Sequence, residues 1–140
     1  MRVSSVTRFR VGAVCVLLLL LMFPSCRQTS VDFGTIQGFA DLKAALLQGD
    51  HDGYQVLEVI NEGLVLRVNV APEVVPEDRF QTRVQATNIL YDVQTIAGKE
   101  LSVSVWLYRS NQAEKSQLLG MAFYHALTEQ VVFKTPEELP

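Results

Sequence analysis

The sequence predicts an α+β fold. It is a two-layer sandwich, with one short and one long helix on a four- to five-stranded, mostly antiparallel sheet, in the order α-ββ-α-ββ. Three observations predict it. Two segments, Leu64 to Val70 and Leu101 to Tyr108, alternate apolar and polar residues with the period of a strand. A long stretch of helical spacing, Pro76 to Ile96, lies between them. The chain has 140 residues, enough for one domain.

The elements follow in order. Phe39, Leu42, Ala45 and Leu46 lie three or four apart, which predicts a short helix from Gly38 to Gln48 ended by Gly49. Gly49 to Gly53 reads as a loop. Tyr54 to Ile60 is a strand candidate, and Asn61-Glu62-Gly63 is a turn of hairpin length. Leu64, Leu66, Val68 and Val70 then share one face of a second strand; Val65, Arg67 and Asn69 share the other. Two prolines mark a connection from Ala71 to Pro76. Proline and two acids at Pro76-Glu77-Asp78 predict the start of the long helix, closed by Gly98. Its apolar arc holds two adjoining stripes: Phe80, Val84, Thr87 and Tyr91, then Ala86, Ile89, Leu90, Val93 and Ile96. Leu101, Val103, Val105 and Leu107 face one way on the third strand, and Ser102, Ser104, Trp106 and Tyr108 the other. Gln117 to Ala126 returns as a fourth strand, and Thr128 to Phe133 adds a short edge. A right-handed crossover through the long helix makes the second and third strands parallel. The folded domain is expected over 38–134, with a flexible tail at 135–140.

Composition narrows the functions. With 12 Lys+Arg against 15 Asp+Glu, the chain is not basic enough for a dedicated nucleic-acid binder. Two cysteines are too few for a disulfide scaffold or a Cys-rich metal site. The charge is uneven: Arg2, Arg8 and Arg10 are the only charges before Cys26, and all 15 acids follow it. From Cys26 onward 9 basic residues stand against 15 acidic ones, so long-range attraction will not hold this portion to anionic headgroups.

The N-terminus has three zones. Met1 to Arg10 is polar and basic, Val11 to Phe23 is an unbroken apolar run, and Pro24-Ser25-Cys26-Arg27 follows. The run is short for a membrane span, which needs roughly 20 apolar residues, and its order matches the n- and h-regions of a signal peptide. These residues resemble a bacterial lipoprotein signal peptide over residues 1–25, with Phe23-Pro24-Ser25-Cys26 as a relaxed lipobox. Phe23 and Pro24 depart from the usual pattern, and Ser25 and Cys26 match it. The resemblance implies cleavage before Cys26, diacylglyceration of its thiol, and acylation of the new amino group with a fatty acid such as palmitate. An uncleaved signal anchor and a non-lipidated secretory signal are the alternative readings. Two or three acyl chains anchor firmly, at about 0.8 kcal/mol per buried methylene. Residues 26–37 would then be a lipidated tether in the cell envelope. Arg27, in place of the Asp that retains enterobacterial lipoproteins at the inner membrane, points to the outer membrane facing the periplasm.

No motif in residues 27–140 names a family, and no catalytic residue, metal or cofactor is expected. Asp50-His51-Asp52-Gly53 supplies two carboxylates and no later Glu at calcium-loop distance, so it reads as a solvated turn. His51 and His125 lack a second His or Cys at zinc-ligand spacing. Neither G-x-S-x-G nor a Gly-rich phosphate loop occurs. Trp106 and Tyr108, with Tyr124 or Phe123 beside them, form a candidate contact surface on the open face of the sheet; cross-strand pairing that stabilises the hairpin is the alternative. The leading expectation is a non-enzymatic envelope lipoprotein that binds a protein partner or supports an assembly. The alternatives are a small-ligand or lipid carrier, with a pocket lined by Phe80, Val84 and Leu107, and a hydrolase built around His125.

Overall fold

A computed structural model describes residues 36–140, with side chains from Gly38 onward. The signal peptide, Cys26 and nearly all of the tether expected at 26–37 lie outside the described residues. Helix α1 spans Ile36–Gln48, strands β1 and β2 span Tyr54–Asn61 and Val65–Pro72, and helix α2 spans Arg79–Ala97. Strands β3, β4 and β5 span Ser102–Tyr108, Leu118–His125 and Gln130–Lys134. Single 3-10 turns occupy Lys115–Gln117 and Pro136–Glu138. The five strands form one sheet in sequence order. β2 and β3 are parallel, and the other neighbours are antiparallel. This is the α+β sandwich that the alternation and the intervening helix predict. The parallel pair exists because α2, 19 residues long, carries the chain about 28 Å back to the starting end of the sheet.

Local chemistry sets the boundaries. Asp78 caps α2: its carboxylate accepts the Gln81 N–H at 2.8 Å, so the helix starts two residues after the Pro76-Glu77 signal. Gly98 ends the helix at φ 91, a left-handed conformation that an L side chain would strain. In the first hairpin the Asn61 side chain accepts the Gly63 N–H at 3.0 Å, and Glu62 N–H bonds Val65 O at 3.0 Å. That turn takes Leu64 out of the strand face predicted for it and leaves it 89% exposed.

The core lies between the sheet and the two helices. Leu66, Val68 and Val70 of β2, and Val103, Val105 and Leu107 of β3, meet Leu42 and Leu46 of α1 and Leu90 and Val93 of α2. Full burial of each such side chain is worth about 1.5–3 kcal/mol. On α2, the second predicted stripe is in this core except for Ile96, and the first is not. Ala86, Ile89, Leu90 and Val93 are buried, whereas Phe80, Val84, Tyr91 and Ile96 are exposed. The reason is geometric. A helix lying on a sheet buries one stripe of its circumference, and the small residues Thr82, Ala86 and Ala97 are buried on that side.

The edge strand is held by a close fit. A Cβ at Gly120 would stand 2.7 Å from the Phe133 ring, so the glycine gives that ring its seat against β4. In the tail at 135–140, a 3-10 turn spans Pro136–Glu138 and contacts the domain. Glu138 accepts the Thr135 N–H at 2.8 Å and pairs with Arg79 of α2 at 3.1 Å. Hydrogen bonds from Thr135, first its backbone N–H, hold the Glu138 carboxyl below the usual carboxylate range.

Candidate functional site

The sheet face away from the helices carries a connected polar cluster. The parallel register sets Arg67 beside Ser104 and Asn69 beside Trp106. The Arg67 guanidinium lies 3.9 Å from the centre of the Trp106 ring. Its Nε–H donates to Asn69 Oδ1 at 3.0 Å, and its Nη2–H to the Tyr108 hydroxyl at 3.1 Å. Its Nη1 pairs with Glu62 at 3.4 Å. Asn69 Nδ2–H then donates to Glu58 at 3.0 Å, and Trp106 Nε1–H to Ser104 at 3.3 Å. Asn69 and Tyr108 are buried.

This arrangement changes the contact surface expected from Trp106, Tyr108 and Tyr124. Trp106 has one face covered by a cation, and Tyr108 is spent inside the cluster. Tyr124 is on the other side of the sheet. It pairs with Val103, is buried in the helix-facing core, and donates its hydroxyl to Lys99 O at 3.3 Å. Phe123, paired with Ser104, is the β4 aromatic on the Trp106 side. Alternation shows which residues share a face within a strand; the register between strands decides which aromatics meet.

The histidines have local structural partners. His51 folds back on the end of α1, with Nε2 2.6 Å from Leu46 O. A carbonyl only accepts, so Nε2 carries the proton and Nδ1 accepts from the Tyr54 hydroxyl at 3.1 Å. The two rings stack at 4.8 Å. Gly49 leaves room for this fold-back, since a Cβ there would meet Ala45 O at 2.8 Å and the His51 ring at 3.0 Å. His51 thus satisfies one of the carbonyls a helix end leaves open. His125 Nδ1 accepts the Thr128 N–H at 3.3 Å in the β4–β5 turn, and its ring meets Phe123 edge-on at 6.0 Å. Among the described residues, no group of three or more His, Cys, Asp or Glu side chains is placed to hold a metal ion.

Tyr54 yields a pH prediction. Burial, aided by the negative Asp92, raises its hydroxyl from 10.0 to about 12. The folded value lies above the unfolded one, so the contribution is complete below pH 10.0 and is lost as pH rises toward about 12. Chemical denaturation across that window is expected to show a steeper loss of stability for the natural chain than for Tyr54→Phe. Parallel curves would contradict it.

Phe80 and Val84, expected to line a pocket with Leu107, instead line an open groove on the outer side of α2. The β2–α2 loop, Val74 to Glu77, stands beside the outer face of α2 and borders this open groove of about 430 Å³. Val74, Val75, Phe80 and Val84 supply its apolar lining. Val74 is 76% exposed and Phe80 is 74% exposed. Gln85 Nε2–H donates to Val74 O at 3.2 Å and holds the loop against the helix. Two adjacent valines between prolines, followed by a phenylalanine in the first turn of a helix, were the available signal. No described helix is long and apolar enough to cross a membrane. Neither protein-family models, curated proteins nor solved structures gave a match to this chain.

Proposed function

We propose that the chain is a bacterial envelope lipoprotein, anchored by acyl chains on Cys26, whose domain binds a protein partner and performs no catalysis. The observation that carries the binding role is the groove beside α2. Large apolar side chains are exposed there on an ordered frame, where a packed monomer has no use for them. The anchoring role rests on the leader residues and on a body with no basic stripe to hold it to headgroups. The location that fits is the outer membrane, facing the periplasm. A partner segment offering two or three apolar side chains would fill the groove, with Phe80 as the anchoring contact.

The carrier reading has less support. It requires Phe80, Val84 and Leu107 around one cavity, but Leu107 is in the core while Phe80 and Val84 face outward. The hydrolase reading needs His125 aimed at a nucleophile, and its Nδ1 is engaged by the Thr128 backbone.

Mass spectrometry of the mature N-terminus, with metabolic fatty-acid labelling, tests the anchor. The natural chain is expected to begin at an acylated Cys26, and Cys26→Ala to lose the label and leave the membrane fraction. A mature chain beginning at Met1, or one without fatty acid, would overturn it. A photoreactive residue at Phe80 in intact envelopes tests the partner role. It is expected to capture one protein that the same residue at Gln55, on the exposed side of β1, does not capture. Equal capture, or none, would contradict the binding role.

A further inference from the structure

The strand directions place the two exposed hairpin tips at one end of the domain. β1 ends and β2 begins there; so do the end of β4 and the start of β5. Each tip carries a leucine in a turn position where polar residues or glycine are the norm. Leu64 is 89% exposed and Leu127 is 91% exposed, more than any other large apolar side chain described. Both turns are built rather than loose. Gly63 takes φ 82 and Glu129 takes φ 54, and side chains of Asn61 and His125 hold the neighbouring N–H groups. Ile96, in the last turn of α2, is exposed at the same end. α1 begins toward this end as well, since its last turn meets the start of β1 through His51 and Tyr54.

The exposed carboxylates are concentrated at the other end. The opposite end carries exposed carboxylates on every connection, Asp50 and Asp52, Glu73 and Glu77, Glu114, and Glu137, and they outnumber its exposed cations Arg79, Arg109, Lys115 and Lys134. At the leucine end, Glu62 is paired with Arg67, Lys99 is next to Glu100 in sequence, and Glu129 in the Leu127 turn is the further exposed carboxylate. Only nine residues, 27–35, separate Cys26 from α1, a reach of about 30 Å when fully extended.

We infer that Leu64 and Leu127 dip into the bilayer that holds the Cys26 acyl chains, so that the hairpin end faces lipid and the acidic end, with the Phe80 groove, faces outward. The inference rests on the lipoprotein reading above. Its physical basis is the burial of two apolar side chains at a membrane interface, oriented by a short tether and by exclusion of the carboxylate-rich end. The docked domain would present its partner groove away from the membrane at a fixed height.

The test uses the full lipidated protein in phosphatidylethanolamine vesicles containing some phosphatidylglycerol and an acyl-chain spin-labelled lipid. Leu64→Cys, Leu127→Cys and Asp50→Cys each receive the same fluorophore, since Cys15 leaves with the signal and Cys26 is a thioether. Quenching at positions 64 and 127 is expected to exceed that at position 50 several-fold, with blue-shifted emission at the first two. Equal quenching at all three sites, or water-like emission at 64 and 127, in a protein whose mass includes the acyl chains would overturn the orientation alone. A mass without acyl chains would overturn both this inference and the anchored reading.

Discussion

Replacing Leu90 with Ala is expected to lower the unfolding free energy by about 3 kcal/mol, within the 2–5 kcal/mol range for a fully buried leucine. Leu90 is fully buried, in the layer between α2 and the sheet. The truncation removes apolar contact and leaves a void that rigid β3 and β4 cannot close. Phe80→Ala on the same helix is expected to change stability by less than about 0.5 kcal/mol, although it deletes a larger side chain. Phe80 is 74% exposed, so little burial is lost. Denaturant titration, followed by the emission of the single Trp106, would measure both. Comparable losses would show that α2 is rotated from the orientation that buries Leu90 and exposes Phe80. The pair also separates the groove from the core: Phe80→Ala is expected to impair partner capture in a protein that remains folded.

Arg67→Ala is expected to cost about 2–3 kcal/mol, because it leaves the buried Asn69 Oδ1 and Tyr108 hydroxyl without their donor and strips a cation from the Trp106 face. Little of that loss comes from the contact with Glu62, which is a partly exposed pair at 3.4 Å. Arg67→Lys is expected to recover less than half. An ammonium keeps the charge, but it lacks the planar fork that reaches Asn69, Tyr108 and the Trp106 ring together. Thermal unfolding would measure the loss, and Trp106 emission would report the uncovered indole. A change below about 0.5 kcal/mol in Arg67→Ala would mean that water replaces the guanidinium at no cost, and that the cluster is an open surface rather than a brace.

How much of this was legible in advance differs from element to element. Alternation at Leu66 to Val70 and Val103 to Leu107 marked two strands and their buried faces, because a strand's period of two is a property of its own backbone. Gly49 and Gly98 marked both helix ends for an equally local reason. The long helix between strand pairs implied the parallel β2–β3 contact, since no shorter connection can return the chain. The candidate site was less legible. Helical spacing puts Phe80 and Val84 on the apolar arc of the long helix but does not say that they face outward, and alternation leaves Tyr124 or Phe123 open as the neighbour of Trp106. The His51 fold-back onto Leu46 and the clasp between Glu138 and Arg79 had no sequence signal strong enough to be read.

The sequence by itself determined which segments are helix or strand, their order, and the segregation of charge about Cys26, all through interactions among near neighbours. Only the tertiary structure decided which half of α2 meets the sheet, which aromatics share a face, and that Leu64 and Leu127 stand at one end. Those outcomes depend on register and layer packing between residues distant in the chain, and neither quantity is encoded in any single segment.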